Sequence, residues 1–176
     1  MRKGMFVALG IVGLFALGIA LPVAAMPPGP NLVDVAVKVN SSGPYAGMFD
    51  TLIAAVLAAD PAVVKTLTGN GQYTVFAPTD AAFAKLGLNA DNINTLGKAT
   101  LTDILLYHVK KGRVGSEDVV DMTQFRTMYG SFVHVNGTVL TDQLGRTSNI
   151  IVTDVGASNG IIHVIDSVLL PYNPAG

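Results

Sequence analysis

The residues of this chain with the most chemistry in them are three histidines and the acids and hydroxyls spread around them. His108 falls at i+7 on a stripe begun by Leu101, Ile104 and Leu105, which puts an imidazole on the buried face of a helix. His163 shares one strand face with Ile161 and Ile165, while Ile162, Val164 and Val168 share the other. A buried imidazole needs a partner for each ring nitrogen. It orders the core, or it senses pH, because acid favours states in which a buried neutral histidine gains its charge. Serine, histidine and aspartate are also the parts of a hydrolytic triad, which is defined by geometry and not by sequence order. Nothing in the sequence selects one. There is no Ser-x-x-Lys nucleophile, phosphate loop or cysteine. No two histidines stand at i, i+4 and no carboxylates have loop-ligand spacing, so neither metal nor cofactor is expected. The chain reads as a non-enzyme.

The elements that position these residues follow from pattern. Phe49, Leu52, Ile53, Val56 and Leu57 form the stripe of a core-facing helix. Asp60-Pro61 reads as an N-cap and first helical position of a short helix ending near Leu67. Tyr73 to Ala77 is a strand stopped by Pro78, with Thr79 or Asp80 capping the next helix. Residues 90–94 suggest another helical turn. Thr100, with Asp103, starts the helix of His108, and Ser116 caps a short helix. Asn136-Gly137 predicts a type I′ hairpin, and Asn159-Gly160 a turn that tolerates positive φ. A strand from Ile161 to Leu170, apolar on both faces, must be central. Helices first and strands afterwards predict the α+β class.

Composition bounds the rest. The chain has 176 residues, no cysteine and a formal net charge of −1. It therefore needs no disulfide framework and gives no electrostatic reason to bind nucleic acid. Lys110-Lys111-Gly112-Arg113 is the one basic cluster and reads as a solvated turn. Arg2-Lys3, the apolar run Met5–Leu21 and Val23-Ala24-Ala25 have the layout of a signal peptide over 1–25, cleaved after Ala25. The rival reading is an uncleaved membrane anchor, but that run spans roughly 25 Å as a helix, short of a hydrocarbon core of about 30 Å. Residues 26–31 form a proline-rich linker and 173–176 a tail. No hydrophobic stretch follows Pro171, which argues against a glycolipid anchor. Asn40 and Asn136 sit in glycosylation-type triplets.

Three segments together resemble the fasciclin domain family. Tyr73-Thr74-Val75-Phe76-Ala77-Pro78-Thr79-Asp80-Ala81-Ala82-Phe83 is similar to its first homology block. Ile104-Leu105-Leu106-Tyr107-His108-Val109 is similar to its Tyr-His motif. Ala157-Ser158-Asn159-Gly160-Ile161-Ile162-His163-Val164-Ile165-Asp166-Ser167-Val168-Leu169-Leu170-Pro171 is similar to its second block. The resemblance implies one domain over 32–172, a compact wedge of two β-sheets packed with several short helices. It implies an extracellular or cell-surface adhesion role, with a surface protein or matrix component as partner.

Phe76, Pro78, Thr79, Asp80, His108, Asn159, Gly160 and His163 carry the motifs and have sufficient structural readings. The candidate partner-binding residues are Asp154, Val155, Tyr107 and His108. Thr153-Asp154-Val155 stands where animal relatives carry an Asp-Ile pair that resembles an integrin-recognition motif; its plain reading is an ordinary strand end. The alternative function is an exported module that binds a small lipid or carbohydrate in a cleft between helices and sheet.

Overall fold

The computed structural model describes residues 29–174. The expected signal segment, the start of the linker and the last two residues lie outside them.

The chain opens with a helix that the pattern reading overlooked. Helix α1, Leu32–Ser41, is set by Asn31, whose side chain accepts from the N–H groups of Val33 and Asp34 while Asp34 reaches back to the Asn31 N–H. Helix α2, Asp50–Ala58, and α3, Pro61–Thr68, follow, with Asp60 capping α3 as expected. Strand β1, Tyr73–Pro78, leads into α4, Asp80–Ala84, which Thr79 caps. A 3-10 turn over Ile93–Leu96 precedes α5, Lys98–Tyr107. This helix starts two residues earlier than expected, because Gly97 at φ +78 turns the chain in, and no Thr100–Asp103 capping box forms. Asp103 instead accepts from the Tyr172 hydroxyl at 2.8 Å.

Seven more elements follow among the described residues. The first six, in order, are β2 (Val109–Lys111), α6 (Ser116–Asp121), β3 (Gln124–Arg126), β4 (Phe132–Asn136), β5 (Val139–Thr141) and β6 (Thr147–Ala157). The last strand, β7, runs Gly160–Ile165. It ends five residues before the expected Leu170. The β4–β5 turn falls on Gly137-Thr138, with Gly137 at φ +60 and the threonine not in the positive region. That is the II′ pattern and not the expected I′, because a β-branched residue avoids positive φ.

The strands run in the order β2-β1-β7-β6-β5-β4-β3. Among the described strands only β1 and β7 pair in parallel. The strands form one continuous seven-stranded sheet where two were expected, because the long strand β6 pairs with β5 at its start and with β7 along the rest and so joins both halves. Strand β7 is central and buried at every residue, as its two apolar faces require.

Each face of β1 and β7 carries its own core. On one side, helices α1 to α5 pack on Ala77, Ile162 and Val164. On the other, Phe76 and Ile165 meet Tyr107, Val119, Phe125, Val133 and Leu140. Helix α2 does not seal the first core. Phe49 and Leu52 are buried, but Ile53 and Val56 are half-buried and Leu57 is 76% exposed.

Candidate functional site

Three of the polar residues singled out by the sequence, Ser116, Asp154 and His163, meet where β6 leaves its regular pairing with β7. The register shifts between Ile150 and Val152, and again between Val152 and Val155, so the chain bulges. Asp154 sits in that bulge at φ +62, the one positive φ among the described non-glycine residues. Aspartate accepts this backbone more readily than bulkier residues do, yet the conformation persists only where its surroundings hold it.

Three bonds hold it. The Asp154 N–H donates to Nδ1 of His163 at 3.3 Å, and Nε2–H of His163 donates to the Val114 carbonyl at 2.9 Å. This pair of partners assigns His163 the tautomer with its proton on Nε2. The Asp154 carboxylate accepts from the Ser116 N–H at 2.9 Å and from the Ser116 hydroxyl. The hydroxyl bond leads the causes that keep this carboxyl below the usual carboxylate range. Ser116 is thus the first residue of α6 and not its cap. The cap position is Gly115, which has no side chain, and Asp154 supplies the missing acceptor from across the fold.

Beside the bulge, Arg113 Nη1 donates to the carbonyls of Ala157 at 2.9 Å and Gly160 at 2.7 Å. The basic cluster therefore contributes a clamp on the β6–β7 turn as well as solvated lysine charge. Thr153 and Asp154 are exposed, and Val155 is half-buried against the helical core.

Serine, aspartate and histidine thus meet, but they are not wired for hydrolysis. A nucleophilic hydroxyl must face an imidazole nitrogen. Here the Ser116 hydroxyl faces the carboxylate, and both His163 nitrogens are bound to backbone. What the arrangement does is hold an ionised carboxylate fixed on an exposed bulge. Among the described residues, no three histidine, aspartate or glutamate side chains converge as a metal site.

The structure does not gather the four candidate partner-binding residues into one patch. Tyr107 is fully buried, and its hydroxyl donates to the Phe132 carbonyl at 2.9 Å. Burial pushes its phenol up to about 12. His108 is buried as well. Its Nδ1–H donates to the Ile104 carbonyl at 2.8 Å, and Nε2 accepts from the Leu169 N–H at 3.0 Å. Burial pulls its pKa down to about 4, so the ring is neutral. Neither residue has a polar atom left for a partner. Asp154 and Val155 remain at the surface.

The motif residues have definite structural jobs. Phe76 stacks on Phe125 at 4.9 Å between ring centroids and lies 5.6 Å from the His163 ring. Buried Pro78 ends β1. Asp80 does not cap its own helix. Its carboxylate accepts from the N–H groups of Asp50 and Thr51, at the uncapped start of α2. Asn159 accepts from the Leu32 N–H and donates to the carbonyls of Leu67 and Gly69, tying the start of α1 to the end of α3. Gly160 is needed for a different reason than the one expected. Its φ is not positive, but a Cβ there would collide with the Tyr73 carbonyl on parallel β1.

Sequence reasoning missed Asp142 and Arg146. The buried Asp142 carboxylate pairs with Arg146 at 2.6 Å and accepts from the N–H groups of Leu144, Arg146 and Leu170. The available signal was a polar turn ending in Gly145-Arg146, with Gly145 at φ +74. Its long-range bond to Leu170 has no local signature.

Comparison with known proteins gives one answer. The Fasciclin domain family model matches residues 47–171. The chain is 36% identical to the uncharacterized protein sll1735 of Synechocystis over 80% of its own length and 98% of that protein's. It is 34% identical to the immunogenic protein MPB70 of Mycobacterium bovis, covering 88% and 80%. It is also 34% identical to the cell surface glycolipoprotein MPB83 of that species, covering 90% and 72%. Among solved structures it matches a FAS1 domain pair from the insect cell adhesion molecule fasciclin I. The TM-score is 0.50 at 22% identity, over 65% of this chain and 42% of that one, a likeness of fold. Helix α1 precedes the matched stretch, yet Leu32 and Val35 are buried in the core. The chain belongs to the fasciclin domain family.

Proposed function

We propose that the protein is an exported, non-enzymatic adhesion and interaction module that binds a protein or matrix component at a cell surface. The observation that carries this reading is the bulge that holds the Asp154 carboxylate exposed, ionised and fixed beside Val155. Holding a non-glycine residue at positive φ has an energetic cost, and such residues cluster at functional sites. The family supports the reading, since one relative is described as a cell surface glycolipoprotein and one structural neighbour as a cell adhesion molecule. The leader-like segment 1–25 agrees with export.

Asp154→Asn is the sharpest test, because asparagine keeps the acceptor oxygen and the tolerance of positive φ but loses the charge. A folded variant should attach to the producing cells or their matrix at least tenfold more weakly than the parent, a loss of about 1.4 kcal/mol. Equal attachment would remove this carboxylate from the binding surface.

A further inference from the structure

An apolar cavity of about 170 Å³ lies between α1, α2 and the strands β1 and β7. Ala36 and Val37 of α1 and Val56 and Leu57 of α2 form its outer walls, and Ile162 and His108 belong to its inner lining. Protein interiors rarely leave voids much larger than a water molecule. An apolar void of about 150 Å³ stays dry and takes up a benzene-sized guest. The exposed members of the lining, Val37 at 46% and Leu57 at 76%, mark where this one opens to water.

The walls say what the guest is. Every lining side chain but one is apolar, and the exception, His108, has both ring nitrogens bonded to backbone. No buried side-chain polar atom among the described residues lacks a partner. A sugar, nucleotide or peptide placed here would bury its polar groups without hydrogen bonds, a heavy penalty. A hydrocarbon chain needs none. Its polar head would stay hydrated outside Val37 and Leu57, the exposed apolar residues of the lining.

We propose that this cavity holds the hydrocarbon chain of a lipid, inserted between α1 and α2 with its headgroup in water. This goes beyond the adhesion reading and stands or falls separately from it. The chain's own run Met5–Leu21, which ends eleven residues before Leu32, is the rival occupant.

The full chain is titrated with saturated fatty acids of increasing length below their aggregation limits. A second arm incubates it with phosphatidylcholine vesicles and assays lipid carried into the vesicle-free fraction. The expected result is saturable uptake in at least one arm. In the fatty-acid arm, affinity should rise about fourfold per methylene and level off once the cavity is full. Ala36→Leu and Val56→Phe, which fill the cavity from opposite helices, should each weaken uptake at least tenfold while the protein still unfolds cooperatively near the parent's temperature. No saturable uptake in either arm would overturn the proposal. So would uptake that both folded, filled variants retain, or a full chain whose own apolar run excludes every probe.

Discussion

The two faces of β1 and β7 are built to different standards. On the strand side, stacked Phe76 and Phe125, the buried Tyr107 and the aliphatic side chains of β3 to β5 close a core in which each polar atom is tied to backbone. On the helical side, α1 and α2 stand off the sheet, leaving an apolar space with Leu57 facing water. The difference teaches that apolar pattern does not by itself mean packed core. The same stripe, Phe49 to Leu57, supplies buried residues at its start and the lip of a cavity at its end. One face fixes the shape of the molecule, and the other keeps room.

The largest effect expected from this contrast is on the sealed side. Phe76→Ala should destabilise the protein by about 3–5 kcal/mol, because ring contacts vanish and the tight surroundings cannot collapse. Val56→Ala merely widens an existing space and should cost about 1 kcal/mol or less. Chemical denaturation of both variants checks the pair, and equal losses would erase the distinction.

His108 joins the two regions, since it lines the cavity and bonds to Leu169 of the strand-side core. Asp142 and Arg146 are the charged groups that bear on its ring, with opposite signs. Its folded pKa of about 4 lies below the ordinary value of 6.5. The unfolded chain therefore binds this proton first as pH falls. Stability should be intact above pH 6.5 and fall by about 3 kcal/mol by pH 4. His108→Gln should lose stability at neutral pH but show a much flatter profile across that window. Parallel profiles for the two proteins would show that His108 does not set this dependence.

Legibility followed the range of the interactions. Strand β1, the Asp60 cap, the buried placement of His108 and the central position of β7 all rest on local pattern, and all could be read from sequence. Helix α1 was readable too, through Asn31 and Asp34, but its half-polar face hid it. The caps that cross the fold were not. Asp80 serves α2 and Asp154 serves α6, over separations of about 30 and 38 residues, and no local rule links a carboxylate to a distant helix start. The same holds for Asn159, read as a turn and found to tie α1 to α3. The cavity was hidden for another reason. A residue beside empty space and a residue in a packed core look alike in sequence.

Xenon pressurisation of a crystal tests the asymmetry most directly, since xenon enters dry apolar space without disturbing polar contacts. Anomalous density should appear between Ala36, Val56 and Ile162, with none between Phe76, Phe125 and Val133. Absence of xenon on the helical side, or equal occupancy on both, would contradict the account of one sealed face and one open one.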